Sequence, residues 1–291
     1  MAYKTIIVEK KGPIGYLTLN RPDKLNCMSR TLLEEFNEAC MDFAKDTNIK
    51  VFIIKGAGRN FCAGYDMSGK EPAQGPTSIE WYMWDLHPDD IFIRALWENP
   101  KIIIGQVHSF CLAGGGNMIS HMDIVYCTED ALFGYPPARY ASPGAHQLWP
   151  ILVGLRKAMY HLTTGNMLTA QEAHRVGFVN EIFPTYEQME AEVEKTAKTI
   201  SKLSMAALLV NKRAVHEWYE CMGIRTALRY SQRLRDITYG SPPEVLPHGF
   251  QDINRVTTEQ GMRVGFEYMN KDFLEEDAIA RQQMARPDRK P

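Results

Sequence analysis

Two short hydrophobic runs, VFII at 51–54 and IIIGQV at 102–107, each lead into a glycine-rich turn. The first turn reads GAGRNFCAGYDMSG, and the second ends in CLAGGGN before a stretch of helical character. Short apolar runs bounded by glycine read as buried strands. Glycine at such exits lets a backbone N–H come close to a ligand or to another segment. A chain built this way must bring loop backbone, rather than long side chains, to the ends of its strands.

The rest of the chain fits around these two units. TIIV at 5–8 and IGYLTL at 14–19 form a hairpin split by Gly12 and Pro13. Residues 30–44 set Leu32, Leu33, Phe36, Cys40 and Phe43 at helical spacing. Residues 70–88 hold prolines, glycines and aromatics without a period and read as a variable loop. Residues 89–98 are helical and end before Pro100. A helix follows the glycines at about 115–121, and IVYC and ALFG are short strands. GLRKAMYHLTTG is a helix stopped by Gly165. TAQEAHRVG is a short helix with Thr169 as N-cap and Glu172 in capping-box position. FVNEIF is a short strand. The chain is helical from 186 to 239, and a last helix at about 256–270 follows the break SPPEVLPHG. The order strand, strand, helix, repeated and then only helices, predicts an α/β body with a helical C-terminal part. We divide it into a core of residues 1–200 and a helical region of 201–291. That tail can pack on a neighbouring subunit or on its own body.

Composition narrows the function. Net charge is −2, with 45% hydrophobic and 23% charged residues, which fits a globular protein and no nucleic-acid partner. No apolar run approaches the roughly 20 residues that span a membrane. The N-terminus MAYKTIIVEKKGPIG carries charges where a signal peptide has its apolar core. The expected compartment is the cytoplasm, or an organelle reached through a signal outside this sequence. Cysteines at 27, 40, 62, 111, 127 and 221 show no metal spacing and read as free thiols.

GAGRNF lacks the third glycine of a dinucleotide fingerprint, and no helix follows it directly. The two glycine loops make more sense as a pair. Two backbone N–H groups converging on one point form an oxyanion hole, and a helix starting at the second loop adds its positive dipole end. The competing reading is two tight strand-to-helix turns and nothing more.

The segments RPDKLNCMS, GRNFCAGYDM, QVHSFCLAGGGNMISHMDIVYCTEDALFGYPPARY, HLTTGNMLTAQEAHRVGFVNEIF and LLVNKRAV resemble the crotonase superfamily, the enoyl-CoA hydratase/isomerase group. The resemblance runs from about residue 3 to 218 and recurs near 258–273. It implies a spiral of ββα turns with a helical C-terminal trimerisation region, and a homotrimer or dimer of trimers. It implies a CoA thioester substrate whose carbonyl oxygen is held by the backbone N–H groups of Ala63 and Gly114 while an enolate forms. CoA would lie against the loops that carry Lys24, Leu25, Ala63, Asp66 and Met67. No cofactor is implied beyond the CoA carried by the substrate.

The chain departs from the family pattern where hydratases carry two glutamates. Those positions here are Asn117 and Pro137, and neither is a general base. SPGAHQLWPILVG replaces the usual segment and resembles the 6-oxocamphor hydrolase branch, which cleaves C–C bonds. That branch's catalytic His and Asp fall near Ala138 and Pro143 and do not carry over. The remaining candidates are Asn117 for a polar substrate contact, His146 as a base or a core histidine, and Tyr140 as a proton donor or pocket wall. His121 lies one helical turn after Asn117 and can share its side. His108 reads as structural, and Asp66 as loop-shaping. Trp81, Tyr82, Trp84 and His87 lie where this family shapes its acyl pocket, which suggests a bulky or cyclic acyl group. The functions left open are hydration or isomerisation with a substituted residue set, C–C cleavage or decarboxylation, and acyl-CoA binding without catalysis.

Overall fold

The computed structural model describes residues 3–66, 91–140, 148–239, 255–256, 259–270 and 273. An antiparallel pair, β1 (Ile6–Lys11) and β2 (Ile14–Leu19), opens the chain, with Ile6 opposite Leu19. β2 pairs parallel with β3 (Val51–Gly56), and β3 with β4 (Ile102–Val107). A second sheet is built from β5 (Phe110–Leu112), β7 (Leu132–Gly134) and β8 (Leu168–Thr169). β6 (Ile124–Thr128) and β9 (Glu181–Phe183) complete the first sheet, whose order is β1-β2-β3-β4-β6-β9.

The period-2 pattern sorts the sheet's side chains to two faces. Ile14, Tyr16, Val51, Ile53 and Ile104 face Met189, Val193 and Ala197 of α6 (Tyr186–Ser201). Leu17, Leu19, Phe52, Ile54, Ile103 and Val107 face the core that holds Leu32, Leu33, Phe36, Cys40 and Phe43 of α1 (Arg30–Lys45). Both faces are covered, which is why these strands read as near-continuous apolar runs. Burying one such side chain contributes about 1.5–3 kcal/mol. Gly15 is required here, since a Cβ on it would lie 2.8 Å from the Phe43 ring.

The remaining helices are α2 (Gly114–Ser120), α3 (Trp149–Leu152), α4 (Leu155–Thr164), α5 (Ala170–Arg175), α7 (Met205–Cys221), α8 (Ile224–Tyr239) and α9 (Met262–Asn270). Ser29, Thr169, Thr185 and Ser204 cap their helices by accepting the N–H three residues on. Gly165 ends α4 in the left-handed region, as the sequence predicts.

Three local expectations change. Thr169 caps α5, but Glu172 does not complete the box. Its carboxylate binds Lys157 at 2.5 Å and Arg175 at 2.6 Å, cations that compete with a backbone N–H. The helix before Pro100 is a π-turn over Ile93–Trp97, closed by the Glu98 N–H donating to the Ile93 carbonyl at 2.8 Å. FVNEIF yields only Glu181–Phe183 as strand. Asn180 instead clamps β6, its Oδ1 accepting from the Val125 N–H at 2.7 Å. The predicted variable loop and the break SPPEVLPHG lie outside the described residues.

The helical tail packs on its own body at several places, and two of them tie it to the elements around the sheet. Arg139 donates to Asn270 Oδ1 at 2.7 Å and sits over the Phe273 ring, which ties α9 to the 3-10 turn Pro136–Tyr140. Lys212 of α7 is buried, and its ammonium donates to Asp123 Oδ2 at 2.8 Å and to the Leu96 and Lys101 carbonyls at 3.2 and 2.9 Å. Asp123 Oδ2 also accepts the Ile103 N–H at 2.8 Å, so this pair joins α7 to the start of β4. His216 approaches Asp123 Oδ1 at 3.4 Å and stacks on Trp97 with centroids 3.8 Å apart. Among the described residues no helix is long and apolar enough to cross a membrane.

Burial pushes the Lys212 ammonium below its ordinary pKa, against the pull of Asp123. Removing one partner of a buried pair strands the other charge. Lys212→Ala is therefore expected to destabilise the fold by about 3–5 kcal/mol, read as a lower urea midpoint. The double variant Lys212→Met/Asp123→Asn should recover part of that loss.

Candidate active site

The ends of β3 and β4 are joined by a short parallel ladder. The Phe61 N–H donates to the His108 carbonyl at 3.0 Å, Cys62 N–H to Phe110 at 2.9 Å, and Leu112 N–H to Cys62 at 3.0 Å. Cys62 and Cys111 face each other in a parallel bridge. Just beyond that bridge stand Ala63 on one side and the turn Ala113–Gly114 on the other, so the two glycine loops meet.

Contact between the loops is too close for side chains. A Cβ on Gly64, at φ 106°, would lie 3.0 Å from the Ala113 Cβ and 3.6 Å from the Gly114 N. A Cβ on Gly115 would lie 2.8 Å from the Cys62 carbonyl oxygen. Ala113 itself takes φ 48° and ψ −117°, a costly conformation for a residue with a Cβ. Its N–H donates to the Gly134 carbonyl at 2.8 Å, so the end of β7 holds the strained turn in place. Gly114 opens α2, and its N–H therefore has no acceptor within that helix.

Ala63 differs from Gly114. Its N–H donates to the Leu25 carbonyl at 3.1 Å. Leu25 and the next residue, Asn26, both have positive φ, 51° and 54°. Asn26 is fully buried and fixes this loop. Its Nδ2 donates to the Ala57 and Asn60 carbonyls at 2.9 and 2.8 Å, and its Oδ1 accepts the Arg21 N–H at 2.9 Å. Arg21 also donates to Asp66 Oδ2 at 2.7 Å and to the Cys27 carbonyl. Asp66 is thus engaged with a guanidinium and shapes the loop. Lys24 is exposed at the end of the 3-10 turn Pro22–Lys24.

Asn117 lies in the first turn of α2 and is fully enclosed. His121 does not turn toward the glycines, because its Nδ1 sits 2.9 Å from the Asn117 carbonyl oxygen and its ring lies near Phe92. His108 is structural, with Nε2 2.9 Å from the Gly58 carbonyl and its ring edge-on to Tyr186. Pro137 lies in the 3-10 turn Pro136–Tyr140 and brings no acid or base. The same turn carries the Tyr140 backbone. The Tyr140 side chain, Met67, His146 and the aromatic set Trp81, Tyr82, Trp84 and His87 lie outside the described residues.

The thiols beside the loops are not nucleophiles. Burial pushes Cys62 up to about 12 and Cys27 up to about 11, so both stay protonated at neutral pH. Sequence reading missed the anchoring roles of Arg21, Asn26 and Asn60 and the engagement of the Leu25 carbonyl. For Asn26, the signal was a small amide inside a short polar loop, a residue type that tolerates positive φ.

A mostly parallel sheet whose glycine loops meet at its carboxyl edge is the frame of a crotonase-type fold. The chain matches the enoyl-CoA hydratase/isomerase family over residues 9–239 and belongs to that family. A probable mitochondrial enoyl-CoA hydratase of Dictyostelium discoideum is 32% identical over 244 residues, covering 81% of this chain and 84% of that protein. A hydroxycinnamoyl-CoA hydratase-lyase of Pseudomonas fluorescens is 26% identical and covers 95% of this chain and 94% of its own length. Among solved structures, an enoyl-CoA hydratase/isomerase from Xanthobacter autotrophicus Py2 superposes with a TM-score of 0.83 at 26% identity, covering 94% of this chain and 99% of that one.

Two buried histidines make the fold acid-sensitive. Burial lowers the pKa of His108 and His161 below the ordinary 6.5. Among the described residues, His108 Nδ1 and His161 Nε2 have no hydrogen-bond partner, so a proton added there would be buried and unpaired. The unfolded chain takes up protons first as pH falls through 6.5. The contribution of these two histidines should be constant above that value, fall below it, and level off once the folded state also protonates. Melting temperature against pH checks this, and His108→Gln should flatten part of the decline.

Proposed function

We propose that this protein acts on an acyl-CoA thioester and stabilises the enolate formed from it with the N–H groups of Ala63 and Gly114. The observation that carries this reading is the Cys62–Cys111 bridge, which puts the two loops in contact one residue before Ala63 and three before Gly114. The CoA-acting relatives support the choice of thioester. Each such donor contributes about 3–4 kcal/mol to a transition state when it is aimed at the developing oxyanion.

The reaction that suits the remaining residues is C–C cleavage or decarboxylation. Water addition needs a base for the water and an acid for the carbon, and this chain has Asn117 and Pro137 at those positions. Decarboxylation of a β-carboxyl thioester needs no base and a single proton donor. The bond between the α-carbon and the carboxylate breaks, its electron pair enters the enolate, and CO2 leaves. A proton then reaches the α-carbon from that donor. Asn117, one helical turn from the hole, is the side chain we assign to contact the acyl group. His146 and Tyr140 are the candidate proton donors. Acyl-CoA binding without turnover is the second reading, and the same two positions favour it. We also propose a homotrimer or dimer of trimers. Trp218, Met222 and Val215, which are 75%, 72% and 57% exposed, support a face covered by another subunit.

A thioester panel tests the reaction. Crotonyl-CoA hydration is expected to run about 100-fold or more below a two-glutamate hydratase. Methylmalonyl-CoA or a cyclic β-keto thioester should yield the shortened product by mass spectrometry. Hydration at the control rate would overturn the reading, and binding without any product would favour the non-catalytic one.

A further inference from the structure

The Ala63 N–H cannot serve a thioester oxygen while the Leu25 carbonyl holds it at 3.1 Å. An amide carbonyl in that place imitates the ligand, offering a partly negative oxygen to the donor that the substrate would use. We propose that Leu25 is a positioning residue. Its carbonyl occupies half of the oxyanion hole until the nucleotide end of CoA displaces the loop, so the site assembles only around full CoA esters. This rests on the reading of Ala63 and Gly114 as the thioester site.

Three features of the loop point the same way. Leu25 takes φ 51°, a conformation that a residue with a bulky side chain keeps only where the surroundings impose it, and Asn26 beside it takes φ 54°. The surroundings that impose it act on the flanks. Arg21 is tied to Asp66, and the Asn26 side chain to Ala57 and Asn60. Between them, among the described residues, Lys24 and Leu25 make only main-chain hydrogen bonds, namely Lys24 N–H to Arg21 at 2.9 Å, Leu25 N–H to Pro22 at 3.2 Å, Cys27 N–H to Lys24 at 2.9 Å, and the bond to Ala63. The middle of the loop is therefore the part that can move while its ends stay fixed. Lys24, exposed and adjacent to Leu25, supplies the charge on which a phosphate can pull. The result is a coupling between two ends of one substrate. Phosphate contact at Lys24 draws the Leu25 carbonyl off Ala63, and the freed N–H takes the thioester oxygen about a pantetheine arm away.

Such coupling is reciprocal and can be measured with fragments. The probes are adenosine 3′,5′-bisphosphate, which has the phosphates and no thioester, and butyryl-pantetheine, which has the thioester and no phosphate. Calorimetry on the full chain should show the bisphosphate tightening butyryl-pantetheine binding about fivefold or more, with the same factor in the reverse titration. Lys24→Ala should reduce that factor toward one while the protein stays folded. A crystal structure with butyryl-CoA should show Ala63 N bonded to the thioester oxygen and beyond hydrogen-bond reach of Leu25. Independent binding of the two fragments to the wild-type chain, or a bound thioester with the Ala63–Leu25 bond intact, overturns the proposal and leaves the thioester site standing. Failure of butyryl-CoA to bind at these loops overturns the thioester reading itself.

Discussion

The parallel register of β3 on β4 is the constraint on which the site depends. Val51 pairs with Ile102 and Lys55 with Gln106, so both strands end at the same level and on the same edge of the sheet. In open α/β sheets this carboxyl edge is where ligands bind. A slip of one residue would turn the alternating apolar faces inside out, and burial on both faces forbids it. The register therefore delivers two loops to one point before any site residue is considered. The Cys62–Cys111 bridge extends the ladder past the strands and removes the freedom that would let the loops part.

Closeness has a conformational cost, and the chain meets it with residues outside the site. Glycine at 64, 114 and 115 allows the loop contact, but Ala113 and Leu25 adopt positive φ with a Cβ present. β7 restrains Ala113 through the Gly134 carbonyl, and Asn26 restrains Leu25 through the Ala57 and Asn60 carbonyls. Strained backbone held by its neighbours is typical of sites that must not relax before a ligand arrives. The two strained places stand on either side of the proposed oxyanion position.

The fold was legible because its cues are local. Short apolar runs bounded by glycine gave β2, β3 and β4, and the 3.6 period gave the buried face of α1. Gly165 and Thr169 marked the ends of α4 and α5. What stayed hidden depends on distant segments meeting. Lys212 lies in a helix rich in charge and looks solvated, yet it is buried against Asp123, 89 positions earlier. Glu172 fits a capping box until Lys157 and Arg175 come within reach. The engagement of Ala63 by Leu25 spans 38 positions and involves only main-chain atoms, so no side chain could announce it. The absence of an acid or base at Asn117 and Pro137 is plain from residue type, whereas the reaction it favours is part of the proposal.

The central claim is that two main-chain donors polarise a thioester carbonyl at the junction of the loops. Isotope-edited infrared difference spectroscopy of butyryl-CoA carrying 13C at the thioester carbon reads that carbonyl directly on the folded protein. The bound carbonyl stretch is expected at lower frequency than in solution, as a hydrogen-bonded and lengthened C=O requires. A bound ligand with the solution frequency would contradict the claim, because the thioester would then sit in the protein without touching the donors.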